Sequence, residues 1–288
     1  MQLTILDYLA VAGAAGAAGA VNALAGGGTL ISFPTLVGLG VPAVAANVTN
    51  TVALVPGYLA GSWGQRDDLR PQLRRAWVLA VVAAAGGLGG SVLLVTIPAR
   101  AFRVAVPYLI LLSCALLIGQ DRLRDRLWPA GPTAVTHDRS GSAEPDRRGG
   151  ARAVTSVEDV ASAAPSASPV SAPPSPVLVM VVFVAAVYGG FFGAGLGIML
   201  LAVLGLFSAD SIIGVNALKQ ALSFVINLVA ATFFAFSGHV RWELVPVMAA
   251  AAVLGGTLGS RLVHRINAGH LRRIVVVAGV AVAIGFWA

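Results

Sequence analysis

The 288-residue chain is poor in charge, in lysine, in cysteine and in metal-ligating clusters, and each shortage removes a class of function. Only 11% of residues are charged while 57% are hydrophobic. That balance excludes an ordinary soluble domain, in which about a quarter of the residues carry charge. One cysteine, Cys114, allows no internal disulfide and sits in an apolar run as a small packing residue. His137, His239, His264 and His270 all fall in loops or in the central linker. No HExxH motif, cysteine cluster or carboxylate pair accompanies them, so neither an enzyme nor a metal or cofactor site is expected. The net charge of +7 comes from arginines beside apolar segments. There they act as topology signals, and nucleic acid is not expected as a partner.

What is abundant is apolar sequence in runs that reach or approach the ~20 residues of a membrane-spanning helix. The expected class is therefore all-α, a polytopic integral membrane protein whose first partner is the lipid bilayer. The start, Met1 to Asp7, lacks the basic region of a signal peptide, so the first segment is expected to be retained. Segments are expected near 8–25, 43–63, 76–97 and 104–119, then 177–192, 211–237, 244–260 and 273–288. Two short apolar stretches, 29–39 and one ending at Phe207, each follow a glycine-rich break: Gly26-Gly27-Gly28 and Gly193-x-Gly195-x-Gly197. Glycine runs discourage a continuous helix. Residues 120–175 differ in kind, first charged and then rich in Ala, Ser and Pro, and read as a disordered linker. The chain thus divides into a first transmembrane repeat (1–119), a cytoplasmic linker (120–175) and a second repeat (176–288).

The word repeat rests on spacing. Gly26 and Gly28 match Gly193 and Gly195 at an offset of 167. Asn47 matches Asn216 at 169, as do Gly86, Gly87 and Gly90 with Gly255, Gly256 and Gly259. Ile97, Ala99 and Arg103 match Ile266, Ala268 and Arg272 at the same offset. Arginine counts orient the halves. With loops 64–75 and 261–273 and the linker inside, fifteen arginines lie inside and three outside. A parallel arrangement gives only twelve inside and six outside. The bias favours two pseudo-symmetric, inverted repeats of 4–5 segments each. That arrangement needs an odd number of crossings per half.

Lys219 is the only lysine in the chain and lies inside a long apolar run. A charge at mid-bilayer costs roughly 2.5–3.5 kcal/mol, so such a residue is a functional candidate. The plainer reading is a lysine that snorkels to the headgroups. If the helix begins near Ser208–Ser211, however, Lys219 is about 13 Å deep, which is too deep for easy snorkelling. Inverted repeats with glycine-interrupted segments point to a transporter site at the breaks, where helix ends expose N–H groups. The breaks contribute Gly28, Thr29, Gly195 and Gly197. A polar cluster follows each break, first Asn47, Asn50 and Thr51, then Asn216, Lys219 and Gln220. Repeat pairing sets Asn50 against Lys219 and Thr51 against Gln220. Donors, one cation and no mid-membrane acid suit a small anion. The amides and hydroxyls also suit interhelical hydrogen bonding, which is worth ~0.6 kcal/mol per pair.

Gly26-Gly-Gly-Thr-Leu-Ile-Ser-Phe-Pro-Thr-Leu-Val-Gly-Leu-Gly-Val-Pro42, followed by Ala45-Ala-Asn-Val-Thr-Asn50, resembles the first-repeat signature of the sulfite exporter TauE/SafE family. Gly189-Gly-Phe-Phe-Gly-Ala-Gly-Leu-Gly197 resembles its second-repeat signature, with a looser glycine run. The resemblance implies a multi-pass carrier of the bacterial plasma (inner) membrane. It further implies a small substrate anion, sulfite or an organosulfonate, and export as the direction. An anion channel or a scaffold without flux is the alternative, and a homo-oligomer is compatible with the sequence.

Overall fold

The computed structural model describes residues 4–24, 26–127, 174–207 and 212–262, together with 276, 277, 280 and 284. Its elements are α1 (Ile5–Leu24), α2 (Thr29–Gly38), α3 (Ala43–Gly64), the short α4 (Arg66–Leu69) and a 3-10 turn (Arg70–Gln72). They continue with α5 (Leu73–Thr96), α6 (Ala99–Leu127), α7 (Pro176–Phe191), α8 (Leu196–Phe207), α9 (Ile212–Ala235) and α10 (Val245–Leu262). Among the described residues, five helical stretches are long and apolar enough to cross a bilayer: Ile5–Ala23, Ala43–Gly64, Arg66–Thr96, Ala99–Leu116 and Ile213–Ala235. The protein is an all-helical, polytopic membrane protein. Its large apolar side chains on outward helix faces, such as Leu9, Val81, Tyr108 and Leu254, are exposed as a lipid-facing surface requires.

The sequence rules account for the helix ends. Ser175 caps α7 by accepting the Leu178 N–H at 3.2 Å, with Pro176 in the first turn where no N–H is needed. Gly40-Val41-Pro42 separates α2 from α3, because a proline here fixes an extended entry into the next helix. α6 runs past the expected boundary at 119 to Leu127. The linker from 128 to 173, residues 208–211, the repeat matches Ile266, Ala268 and Arg272, and nearly all of the expected segment 273–288 lie outside the described residues.

Glycine contacts fix the helix directions. α1 and α10 run side by side in the same sense, with Gly16 against Ala251, Gly19 against Ala252 and Gly259 against Ala20. α5 and α7 do likewise, with Gly86 against Phe183 and Ala186, and Gly90 against Val187 and Phe191. Small residues let these backbones touch, which is how helices associate where lipid offers no hydrophobic drive. α3 and α9 run antiparallel. Gln65 at the end of α3 meets Asn216 near the start of α9, Gly61 lies under Gln220, and Tyr58 packs with Phe224.

Two faces of the bundle follow. One carries the α5–α6 and α9–α10 turns and is called the turn face; the other carries the basic loop around α4. α1 starts at the turn face and α2 returns to it. Leu36 and Val41 share a cluster with Val11, Leu244 and Met248 there. α7 starts at the basic-loop face and α8 returns to that one. Arg75 donates to the Phe207 carbonyl at 3.5 Å, and Leu200 and Leu204 pack with Ala76, Leu79 and Leu178. The chain therefore holds two broken hairpins that enter from opposite faces. Each hairpin begins and ends on one face, so the short segments need not be counted as separate crossings.

Candidate functional site

The two hairpin breaks meet inside the bundle. In the first, Gly26 and Gly27 take φ of 81° and 93°, a left-handed conformation that glycine adopts without strain. Gly28 has an ordinary helical φ of −57° and is needed for another reason: its Cα lies directly on the Ala18 backbone. Its N–H donates to Asn22 Oδ1 at 2.7 Å. This corrects the expectation of Gly28 as an open donor, since a buried side-chain cap already uses that group. Thr29 opens α2 and is buried.

In the second break, Gly193 and Gly195 have φ of 74° and 76°. The Ala194 carbonyl between them accepts from the Tyr188 hydroxyl at 2.6 Å, with Ser113 Oγ 2.9 Å away and the two hydroxyls 3.0 Å apart. Gly195 packs on Ser113, where a Cβ would come within 3.2 Å. Gly197, in the first turn of α8, lies on Gly26: a Cβ on either residue would stand 2.9 Å from the other's Cα. The breaks thus cross backbone to backbone.

Lys219 reaches this crossing. Its Cδ lies 3.9 Å from where a Gly197 Cβ would be, and the residue is completely buried. Its Nζ has no hydrogen-bond partner among the described residues. A buried charge without a partner is among the most costly arrangements a fold can hold, and the usual remedy is an opposite charge.

The other polar residues divide between two levels. Gln220 lies beside Lys219, with Nε2 over Gly61. Asn216 Nδ2 donates to Gln65 Oε1 at 2.8 Å, at the basic-loop end of α3. Asn47 sits toward the opposite end, where its Nδ2 donates to the Phe191 carbonyl at 3.0 Å. The Thr51 hydroxyl donates back to the Asn47 carbonyl at 2.9 Å, which engages its proton within the helix. Asn50 is buried with Oδ1 unpartnered among the described residues. From Asn47 to Gln65 the α3 axis rises about 27 Å, and from Asn50 to Gly61 about 16 Å. Lys219, Gly197 and Gln220 gather near the crossing, Asn47, Asn50 and Thr51 lie toward the turn face, and Asn216 lies at the basic-loop end.

Several residues that hold the site were not singled out from the sequence. Asn22 shapes the first break, while Ser113 and Tyr188 pin the second from α6 and α7. Asn22 carried a usable signal, a lone amide just before a glycine run. Ser113 and Tyr188 carried none, since only the tertiary fold sets them beside Ala194.

Similarity to known proteins is consistent with this architecture. The family model described as Sulfite exporter TauE/SafE matches residues 11–286. A probable membrane transporter protein of Haemophilus influenzae is 26% identical over 263 residues, covering 89% of this chain and 85% of the relative. A probable membrane transporter protein, ORF9, of a Sinorhizobium species is 23% identical over 271 residues, covering 94% and 88%. No solved structure matches significantly. Matched by that model across nearly its whole length, the chain belongs to the TauE/SafE sulfite exporter family, a family of membrane transporters.

Proposed function

We propose that the protein is a secondary carrier of a small anion, sulfite or an organosulfonate, held by Lys219 at the crossing of the two hairpin breaks. The observation that carries this reading is the completely buried ammonium group beside Gly197, with no protein partner among the described residues. An anion seated there supplies the missing counter-charge. The N–H groups of Leu196, Ile198 and Met199 are already engaged by the Gly193 and Gly195 carbonyls, so α8 contributes chiefly the positive end of its helix dipole. Asn50 and Gln220 lie on the helices that bound the crossing and serve as further polar contacts as the anion moves.

The hairpins enter from opposite faces, and this supports a pair of inverted repeats that rock against each other around a fixed site. The expected setting is the plasma membrane of a bacterium, with the basic loop inside and export as the direction of flux. The test is thermal stability of the purified protein and of Lys219→Gln against sulfite, sulfate, thiosulfate, sulfoacetate, acetate and chloride. A ligand at 100 times its dissociation constant that binds only the folded state adds ~2.7 kcal/mol. A sulfur anion should stabilise the wild type clearly more than the variant. Equal responses from both would remove Lys219 from the site. Saturable, counter-ion-dependent flux in liposomes separates a carrier from a channel or a scaffold.

A further inference from the structure

We propose a second anion site, on the turn face, in the cavity bounded by Arg100, Arg103 and Arg241. The cavity has a volume of about 780 Å³, within the range of small-molecule sites. It lies between the first turn of α3, the α5–α6 turn and the α9–α10 turn, with His239 also on its wall. Among the described residues, Arg100, Arg103 and Arg241 are the arginines of this face, and all three line this one cavity.

Their convergence asks for a cause. Topology places basic residues mainly on one side of a membrane, and here the opposite loop carries Arg66, Arg70, Arg74 and Arg75. The arginines left on the turn face are not scattered as lipid anchors but share one concavity. Among the described residues only one carboxylate approaches them: Glu243 stands 3.6 Å from Arg241, with both side chains nearly half exposed. Such a pair is weak and yields easily to a competing anion. Arg241 is held in place, because its backbone N–H donates to the buried Thr49 hydroxyl at 2.9 Å. Guanidinium groups match the flat, multi-oxygen face of an oxyanion.

The cavity is distinct from the Lys219 site. Its wall at Ala43–Ala45 and the Gly61 beneath Gln220 are about 25 Å apart along α3, and the packed side chains of Phe33, Leu36 and Val48 lie between the two levels. The site takes an oxyanion head, either a free sulfur oxyanion gathered before or after transit or the phosphate of an anionic lipid. This inference does not depend on the role of Lys219.

The test uses the full chain in nanodiscs of phosphatidylcholine, titrated with sulfite and with sulfate by calorimetry. The expected result is a class of sites that survives in Lys219→Gln. In the double variant Arg100→Gln/Arg103→Gln it should weaken by more than about tenfold, ~1.4 kcal/mol. Arg100→Lys/Arg103→Lys, which keeps the charge, should retain part of that binding and shows whether the double variant has merely lost its fold. A second arm adds phosphatidylglycerol and counts retained lipid by native mass spectrometry. Retention by the wild type and not by the double variant, with competition against sulfate, assigns the site to the headgroup. Retention by neither, with sulfate binding intact, assigns it to the free anion. Equal affinity of wild type and double variant for sulfite, sulfate and phosphatidylglycerol overturns the proposal. So does loss of all anion binding in Lys219→Gln alone.

Discussion

A single methyl group added where the two breaks cross should separate the halves of the molecule. In Gly26→Ala the new Cβ falls 2.9 Å from Gly197 Cα, 3.0 Å from its carbonyl carbon and 3.1 Å from the Ile198 nitrogen. Carbon atoms rest at about 3.5–4.0 Å, and every one of these neighbours is backbone, so no rotamer change relieves the contact. Overpacking of this kind costs about 1–3 kcal/mol. The left-handed φ of 81° adds about 1–2 kcal/mol for a residue with a side chain. The expected loss is therefore about 2–5 kcal/mol. Gly197→Ala meets Gly26 Cα at the same 2.9 Å but has helical backbone. It gains about 1 kcal/mol of helix propensity, leaving a loss of about 0–2 kcal/mol. Gly13→Ala in α1 meets nothing within 4 Å and should be neutral or slightly stabilising. Thermal and denaturant unfolding of the full chain in one detergent should rank the three variants in that order. If Gly26→Ala is as stable as Gly13→Ala, the breaks do not touch, and the central site built on their crossing fails with them.

Further predictions follow from the same contacts. Lys219→Met, which replaces an unpartnered buried cation by an apolar chain of similar length, should melt higher than the wild type in anion-free buffer. It should also lose the share of anion-dependent stabilisation that the central site contributes, and a lower melting point would mean that the ammonium has a structural partner. Asn22→Ala removes the cap on the Gly28 N–H and should destabilise by about 1–3 kcal/mol, measured by unfolding. Tyr188→Phe and Ser113→Ala act on one carbonyl, that of Ala194, and a double-mutant cycle should show coupling of about 0.5–3 kcal/mol. Gly61→Ala places a Cβ 2.5 Å from Gln220 Nε2, the movable end of a flexible side chain. Stability should change by less than about 1 kcal/mol while flux falls, because Gln220 is displaced beside Lys219.

Much of the architecture was legible because it depends on local composition. Apolar runs marked the helices, and helices satisfy their own backbone in lipid, so length and hydropathy are nearly sufficient to locate them. Glycine runs marked both breaks, since few other residues adopt the φ of Gly26, Gly27, Gly193 and Gly195. Lys219 stood out as the chain's only lysine. Its depth could be estimated from the start of its run, and the structure buries it completely.

What the sequence could not decide is which polar residues meet. Asn47 and Asn216 occupy matching places at an offset of 169, and equivalence along the chain suggested proximity. α3 and α9 run antiparallel, however, so matching positions move to opposite ends unless they lie near the point where the helices cross. Lys219 reaches Gly197 at the crossing of the breaks while its match Asn50 stays toward the turn face, and Asn47 and Asn216 find separate partners in Phe191 and Gln65. Composition and spacing by themselves determined the membrane class, the helical segments among the described residues, the two breaks and the lysine within an apolar run. Tertiary structure alone decided that the breaks cross at Gly26 and Gly197, that Ser113 and Tyr188 hold the second of them, and that Arg241 joins Arg100 and Arg103 in one cavity. The physical reason is range: backbone preference and hydropathy act over a few residues, while a site is made by contacts between residues far apart in the chain.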